Sequence, residues 1–304
     1  MLIDCDPGHD DAIALIVAAK FADLVGVTTV AGNAPLTHTT RNARVVLDLI
    51  GAEVPLHSGA DRPLVAPPRH APEVHGESGL DGAVLPEPSR PEDSHDAIGY
   101  IIETCRNSEG LWLVPIGPLT NIALALQAAP DIAQRIAGIS LMGGGTYGNR
   151  TPAAEFNIWA DPEAADIVFQ YGGLLMMSGL DVTHQLQATP DRIARIRELP
   201  GQLASIVADL FDYFLSTYVP NHETLKGGVV HDACAVMALT HPQLFTSKKH
   251  HVVVETSGRY TTGMTLIDQR GIHRRSEPNC LVQWDIDAEG AFDAIIDAVA
   301  IFSI

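Results

Sequence analysis

The chain opens on the stretch that decides its fold, Leu2-Ile3-Asp4-Cys5-Asp6-Pro7-Gly8-His9-Asp10-Asp11. A short apolar strand gives way here to a helix through a Pro-Gly turn, and four aspartates fall within eight positions. Carboxylates this close repel one another unless a cation lies among them, and their oxygens suit a hard cation such as Ca²⁺ or Mg²⁺. The alternative is a capped helix with surface acids, but a cap needs only one acid. The pattern therefore predicts a cation site at the end of the first strand, where open α/β sheets bind their ligands.

Short β-branched runs alternate with helical patterns along the chain, as in a mainly parallel sheet covered on both faces. This predicts an α/β fold with an open, mainly parallel Rossmann-like sheet and helices on both faces, in a single domain over residues 1–304. The predicted strands are Leu2 to Asp4, Leu24 to Val30, Leu111 to Pro115, Ile139 to Met142, Leu174 to Ser178, Val252 to Glu255, Met264 to Ile267 and Leu281 to Ile286. The predicted helices are Asp11 to Phe21, Thr37 to Ile50, Ser94 to Arg106, one beginning at Asp161-Pro162-Glu163, a helical region from Pro190 to Ala238 that includes Leu203 to Tyr218, and Ala288 to Phe302.

Residues 59–93 carry seven prolines and little periodicity. A segment this long is uncommon as a passive connector, so we interpret it as a functional loop.

The composition of the chain limits the kinds of molecule that it is expected to bind. The 304 residues are 46% hydrophobic and carry a formal net charge of −18 without a basic block, which argues against a nucleic acid or an anionic membrane as partner. Phosphate binding would require an Arg or Lys cluster or a P-loop, so we expect an uncharged or cationic substrate. The four cysteines are far apart, and neither a signal peptide nor a membrane-spanning run is evident, so we expect reduced thiols and a cytoplasmic protein.

The opening stretch resembles the Asp-x-Asp-Pro-Gly-x-Asp-Asp signature of the nucleoside hydrolases, the inosine-uridine nucleoside N-ribohydrolase family. Further matching blocks follow in the expected order over about 300 residues. They are Val30-Ala31-Gly32-Asn33, Val114-Pro115-Ile116-Gly117-Pro118-Leu119-Thr120-Asn121-Ile122-Ala123, Leu141-Met142-Gly143-Gly144-Gly145 with Ala154-Glu155-Phe156-Asn157-Ile158, and Val230-His231-Asp232-Ala233.

The resemblance implies a Ca²⁺ site. Its ligands would be the carboxylates of Asp6, Asp11 and Asp232 and the backbone carbonyl of Ile116, with Asp10 beside the water bound to the ion. Many relatives carry Thr where this chain has Ile116, but a backbone ligand depends little on its side chain.

Amide and carboxylate groups suit a polyol, because each ribose hydroxyl both donates and accepts a hydrogen bond. The candidates are Asn33, Asn149, Glu155 and Asn157, and Met142 beside the glycine run is added to the predicted substrate contacts. By resemblance, Glu155 and Asn149 face the 5′-hydroxyl, while Asn157, Asp10 and Asp232 face the 2′- and 3′-hydroxyls. For any one of these residues the alternative is a turn-forming or solvated side chain. The glycine run itself fits close backbone packing better than a phosphate cradle.

The residues that would contact the base of a nucleoside are identified less specifically than those around the ribose. The resemblance makes His231 a possible acid for the leaving group, the alternative being a packed or capping histidine. His75 in the Pro-rich loop is a candidate to close over the base, or it belongs to a plain turn. Tyr218 and Phe214 lie on one helix face and are candidates to contact the base, although aromatic residues at this spacing more often form core.

Three further histidines are assigned no catalytic role: His9 occupies a variable position of the motif, and His250 and His251 are expected to be solvated.

The implied reaction is hydrolysis of the N-glycosidic bond of a purine or pyrimidine ribonucleoside such as inosine or uridine, through an oxocarbenium-like transition state. Asp10 would act as the base, and the enzyme would be a homo-oligomer, a tetramer or dimer, by analogy with relatives. Two alternatives stay open. One is a phosphohydrolase of the haloacid dehalogenase type with Asp4 as nucleophile, although lysines are scarce; the other is a nucleoside-binding protein without turnover.

Overall fold

A computed structural model describes residues 1–221, 225–270 and 276–303. Its centre is a nine-stranded sheet, accompanied by a two-stranded ribbon. The strands are β1 (Leu2–Cys5), β2 (Gly26–Thr29), β3 (Leu56–Ser58), β4 (Trp112–Pro115), β5 (Gly138–Met142), β6 (Leu175–Ser178), β7 (Gln187–Ala188), β8 (Gly228–Val229), β9 (Phe245–Val254), β10 (Thr265–Asp268) and β11 (Cys280–Ile286).

The large sheet runs in the order β10-β9-β11-β6-β5-β4-β1-β2-β3. Neighbours from β3 to β11 pair in parallel, whereas β9 lies antiparallel to both β11 and β10. The strand order reverses between β1 and β4, which is the switch point where doubly wound sheets bind ligands. The aspartate motif follows β1 and the Ile116 block follows β4, so both motifs reach this crevice.

Helices cover both faces of the sheet. They are α1 (His9–Phe21), α2 (Leu36–Leu49), α3 (Pro72–His75), α4 (Ala97–Asn107), α5 (Thr120–Ala128), α6 (Phe156–Ala160), α7 (Pro162–Phe169), α8 (Leu180–Thr183), α9 (Pro190–Arg197), α10 (Gln202–Tyr218), α11 (Ala233–Thr240) and α12 (Ala288–Phe302). Helices α1, α10, α11 and α12 pack around one core and α4, α5 and α7 around the other. Adjacent strand residues such as Leu2 and Ile3 enter opposite cores, as the pleat requires. Among the described residues, no helix combines the length and apolarity needed to cross a bilayer.

The predicted α/β fold, with its open and mainly parallel sheet, is confirmed. The five strands predicted in the first 180 residues all form, with ends shifted by up to two residues. The helix α12 has the predicted ends, and Asp161 is the N-cap of α7, where its side chain accepts a hydrogen bond from the backbone N–H of Ala164.

Three predictions need correction, and three short strands were not predicted. Strand β9 begins at Phe245 rather than Val252, because its first half pairs only with β11 and is largely exposed, so it lacks an apolar pattern. The helical region from Pro190 to Ala238 is interrupted by β8, and residues 222–224 lie outside the described part. Strands β3, β7 and β8 have two or three residues each, too few to show a period. Finally, α1 starts at His9 rather than at Asp11, and its first turn contains Asp10 and Asp11.

Candidate active site

A cavity of about 340 Å³ opens at the switch point, above the carboxyl ends of β1, β4 and β5. Its walls come from the aspartate motif, the Pro-rich loop, the loop after β5 and the C-terminal part of α10. The lining residues are Asp10, Asn33, Ala71, Glu73, Val74, His75, Ile116, Met142, Asn149, Arg150, Glu155, Phe156, Asn157, Phe214, Tyr218, His231 and Asp232. All the predicted site residues except Asp6 and Asp11 are among them, and these two aspartates are fully buried beneath the floor.

The floor is a cluster of buried carboxylates. One oxygen from each of Asp10, Asp11 and Asp232 lies within 4.8 Å of the others. Asp10 and Asp11 begin α1 while Asp232 is the N-cap residue of α11, and these two helices pack together. Two helix N-termini therefore direct their positive ends toward the cluster.

Asp6 and Asp11 are held by backbone and amide donors. Asp11 accepts hydrogen bonds from the backbone N–H groups of Asp6 (3.1 Å) and Gly8 (3.0 Å), so it also caps its own helix. Asp6 accepts a 2.6 Å hydrogen bond from the backbone N–H of Asn33 through Oδ2. The Asn33 side chain donates to the carbonyl of Asp6 and to Asp11, each at 3.2 Å. Asn33 thus fixes the cluster as well as lining the cavity.

Burial raises the pKa of every carboxyl group in the cluster. It raises the pKa of Asp10 to about 8, with a further contribution from the charge of Asp11. The pKa values of Asp6 and Asp232 are raised well above their usual range by burial and by neighbouring carboxylates, and the pKa of Asp11 is also raised by burial. Without a positive charge among them, these groups cannot all ionise near neutral pH.

The residues fit a hard cation. Oδ1 of Asp6 is buried and has no hydrogen-bond partner among the described residues, which is costly for a polar atom unless another ligand occupies it. Ile116 lines the same cavity, and its carbonyl oxygen, which accepts a hydrogen bond from Asn157, has a second lone pair. Carboxylate and carbonyl oxygens are the donors that Ca²⁺ and Mg²⁺ take in proteins.

A second polar part of the lining is built on the start of α6. Glu155 is the N-cap of this helix and accepts from the backbone N–H groups of Asn157 (2.9 Å), Ile158 (3.2 Å) and Gly144 (3.0 Å). Burial nevertheless raises the pKa of Glu155 to about 7. Gly144 has φ +74°, and a Cβ there would meet the side chain of Thr265. The glycine run thus serves close packing, as predicted.

Asn157 connects two strand ends. Its Nδ2 donates to the carbonyls of Ile116 (2.8 Å) and Met142 (3.2 Å), which follow β4 and end β5. The side-chain oxygen of Asn149 accepts from the backbone N–H of Phe156 at 3.0 Å. The turn-forming interpretation therefore holds in part: these polar residues organise backbone and border the cavity at once.

A hydrogen-bonded chain of side chains also lines the cavity. His231 lies between Thr183, whose Oγ1 is 2.8 Å from Nδ1, and Tyr218, whose hydroxyl is 3.0 Å from Nε2. Asn149 in turn contacts the Tyr218 hydroxyl, and burial raises the pKa of that phenol. Tyr218 and Phe214 are both buried and both line the cavity, so the core and ligand-contact interpretations of this helix face are compatible.

His75 and His9 form a second group beside Phe214. Their Nδ1 atoms lie 3.0 Å apart, and the rings stack at 25° with centroids 5.3 Å apart. The rings of Tyr213 and Phe214 lie parallel to His9 within 8°. Burial lowers the pKa of His9 to about 4 and holds the pKa of His75 well below its usual value.

An ion pair that was not predicted from the sequence joins Glu73 to Arg150, and both residues line the cavity. It joins the Pro-rich loop to the loop after β5. Arg150 also lies over the ring of Trp159, at 5.2 Å, with Arg69 at 3.9 Å. The signal was weak, because isolated charges in two loops do not reveal that they meet.

The prediction for His250 is wrong. Its ring is buried, its Nδ1 lies 3.0 Å from the carbonyl oxygen of Asp268, and it packs edge-on against Trp284. The pairing of β9 with two strands buries it. His251 is half-buried, with Nδ1 3.0 Å from the carbonyl oxygen of Glu277.

Comparison with known proteins confirms the family resemblance. The sequence model of the inosine-uridine preferring nucleoside hydrolases matches residues 1–293. The pyrimidine-specific ribonucleoside hydrolase RihA of Shewanella woodyi is 43% identical over 309 residues, covering 100% of this chain and 98% of that protein. RihA of Escherichia coli is 41% identical over 308 residues, covering 100% and 99%. The solved structure of a purine-preferring ribonucleoside hydrolase from Gardnerella vaginalis superposes with a TM-score of 0.92 at 30% identity, covering 99% of this chain and 98% of that one. The chain therefore belongs to the inosine-uridine preferring nucleoside hydrolase family.

Proposed function

We propose that this nucleoside hydrolase cleaves pyrimidine ribonucleosides, uridine and cytidine before inosine and adenosine, with Ca²⁺ held by its acidic cluster. The observation that carries the chemistry is the set of buried carboxylates under a cavity that is lined both by polar groups and by aromatic and histidine rings. The pyrimidine preference is supported by identities of 41% and 43% to full-length pyrimidine-specific proteins, against 30% to the purine-preferring structure.

The cavity suggests how a nucleoside would lie. The ribose would rest on the carboxylate floor, its 2′- and 3′-hydroxyls toward Asp10, Asp232 and Asn157 and its 5′-hydroxyl toward Glu155 and Asn149. The base would then reach the end formed by Phe214, His75, Tyr218 and His231, with Met142 and Asn33 bordering the sugar. Flat rings at this end suit a planar base.

The cation would be held by Asp6, Asp11, Asp232 and the Ile116 carbonyl. The buried Oδ1 of Asp6, which has no hydrogen-bond partner among the described residues, supports this ligand set. The group whose carboxylate oxygens lie within 4.8 Å of one another contains Asp10, Asp11 and Asp232 and does not include Asp6. When bound, Ca²⁺ would supply the positive charge that acidifies a water molecule and binds ribose hydroxyls.

Asp10 would take the proton of the attacking water. The water oxygen forms a bond to C1′ of the ribose while the bond from C1′ to the base nitrogen breaks, and positive charge develops on the sugar. Buried carboxylates around the ribose stabilise that charge. The departing base takes a proton from the pair formed by His231 and Tyr218, which lie 3.0 Å apart at the base end. Proton transfer by such groups contributes about 10² to 10⁴ in rate.

Release of free base from uridine, cytidine, inosine and adenosine, measured side by side with Ca²⁺ present, tests this proposal. We expect the two pyrimidine nucleosides to have the highest kcat/KM. Faster cleavage of inosine would refute the base preference. Binding without base release would favour a nucleoside-binding protein, and phosphate release from nucleotides would favour the phosphohydrolase alternative. The family assignment and the burial of Asp4, whose Oδ1 accepts from Thr28 and Asn121, argue against the latter.

Ca²⁺ as the ion, a homo-oligomer and a cytoplasmic location belong to the same proposal. The all-oxygen donor set supports Ca²⁺, and elemental analysis of the purified protein tests it. Four buried free thiols support a reducing compartment, which fractionation of the source cells would check. The oligomeric state stays a prediction, to be measured by light scattering.

A further inference from the structure

His9 connects the aspartate motif to the Pro-rich loop through both of its ring nitrogens. Its Nε2 lies 2.8 Å from the carbonyl oxygen of Asp81, and its Nδ1 lies 3.0 Å from Nδ1 of His75. Both histidines are buried, and parallel aromatic rings hold His9 in this orientation. The contacts join the first turn of α1 to both ends of the segment from His75 to Asp81.

These distances determine where the protons lie. A carbonyl oxygen only accepts, so Nε2 of His9 must carry the proton that it donates to Asp81. In a neutral ring the other nitrogen, Nδ1, then carries a lone pair. The Nδ1 of His75 must therefore donate to it, which leaves the lone pair of His75 on Nε2.

The opposite assignment is less favourable. The backbone N–H of His9 also lies 3.4 Å from Nδ1 of His75, a long contact that would count if this nitrogen were an acceptor. His9 would then need protons on both nitrogens, placing a cation in a buried position among aromatic rings. Burial opposes this, because His9 is fully buried and a cation at this position would lose its hydration.

We propose that His9 is a positioning residue that fixes His75 in the tautomer whose Nε2 accepts a hydrogen bond, so that the site selects a base that presents an N–H donor. This inference rests on the proposed function, which places the base beside His75. His75 lines the cavity, and its Nε2 makes no hydrogen bond to any residue in the described ranges. The matching donors are N3–H of uracil and the exocyclic amine of cytosine.

Nitrogen-15 NMR of the Ca²⁺-loaded protein reads the tautomer directly. With histidine labelled and the His75 signals assigned by their loss in His75→Asn, we expect the proton on Nδ1 of His75 in the wild type. His9→Phe keeps the ring stack but removes both hydrogen bonds, so the proton should redistribute toward Nε2. Tyr213→Phe, which keeps the ring beside His9, is the matched control and should leave the wild-type tautomer. A proton on Nε2 of His75 in the wild type would overturn the inference.

Kinetics with uridine and 3-methyluridine provide the second readout, because the methyl group removes the N3–H donor. His9→Phe should lower kcat/KM for uridine by about 3- to 10-fold, the worth of one neutral hydrogen bond, and should change 3-methyluridine less. His9→Asn, which can keep an acceptor toward His75, should recover part of the loss. Equal losses on both substrates would reduce His9 to a structural residue. If the wild type released no base from uridine, the proposed function would fail, while the NMR result would still decide the tautomer.

Discussion

The hydroxyl of Tyr218 lies 3.0 Å from Nε2 of His231. Thr183 meets the other ring nitrogen at 2.8 Å, so the imidazole is held from both sides. In the proposed reaction, the proton for the departing base could therefore come from His231 directly or through the phenol. Both routes require the imidazole, which makes its removal informative.

Replacing His231 with Ala should separate acid catalysis from packing. A nucleobase leaves poorly without a proton, whereas p-nitrophenolate leaves readily by itself. We expect kcat for uridine or inosine to fall by about 10²- to 10⁴-fold and that for p-nitrophenyl riboside to fall far less. His95→Ala, at an exposed position, is the control. An equal loss on both substrates would mean that His231 only supports Asp232 and the cation site.

The substitution Asp10→Asn should remove the proton-accepting carboxylate while keeping the shape of the side chain. We expect kcat to fall by about 10²-fold or more with a smaller change in KM, because ribose binding relies on several other groups. Asp61→Asn, an exposed substitution in the Pro-rich loop, should match the wild type. A change confined to KM would make Asp10 a binding residue instead.

Chelation should remove activity. Asp6, Asp11 and Asp232 are buried and mutually repulsive without a cation, so exhaustive dialysis against a chelator should abolish base release and added Ca²⁺ should restore it. Metal content is followed by elemental analysis on the same samples. Full activity in protein free of metal would disprove the cation site.

A 2′-deoxynucleoside should be a poor substrate. The 2′-hydroxyl is expected to face the carboxylate floor and Asn157, and its loss leaves buried polar groups without a partner. We expect kcat/KM for deoxyuridine to be at least about 10-fold below that for uridine. Similar values for the two substrates would contradict the predicted ribose contacts.

The stability of the metal-free protein should fall as the pH rises from 6.5 to 8. Burial raises the pKa of Asp10 to about 8 and that of Glu155 to about 7, so in this window the folded state binds more protons than the unfolded state, whose carboxyls are ionised. The unfolded forms of His9 and His75 still bind some protons at pH 6.5, which partly offsets this slope there, whereas by pH 8 both residues are neutral in the folded and in the unfolded state.

Urea unfolding at several pH values measures this slope, at about 1.4 kcal/mol per pH unit for each extra proton bound. Saturating Ca²⁺ should raise the stability more at pH 8 than at pH 6.5, because protons compete with the ion. If the free energy of unfolding of the chelated protein stayed constant or rose with pH, burial would not raise the pKa values of these carboxyl groups as stated.

Much of the fold was predictable because its elements are long enough to show a period. The buried strands β1, β4, β5 and β6 are near-continuous apolar runs between helical patterns, and the acidic stretch after β1 marks the ligand edge. The first half of β9 was not predicted, because the exposed Lys248 and Lys249 interrupt any alternation of hydrophobic and polar residues.

The carboxylate floor of the site was predictable from a local run of aspartates. The rim of the cavity, to which Glu73 and Arg150 contribute, depends on contacts between segments that are far apart in the sequence. Glu73 and Arg150 are 77 positions apart, and His9 and His75 are separated by 66. A single sequence carries no pattern that pairs such residues. The same limit explains His250, whose burial results from strand pairing rather than from its neighbours.

The close packing around Asp6 means that the turns beneath the cavity tolerate substitutions less well than the rim of the cavity does. A Cβ at Gly32 or at Gly117 would run into the Asp6 carboxylate, so even alanine at either position would have to displace it. The rim is different, because Glu73 and Val74 belong to the short helix α3 and Arg150 to the loop after β5, both outside the sheet. An engineer who seeks a new base preference should therefore randomise residues 71–75 and 147–150 and leave the turns beneath Asp6 as they are.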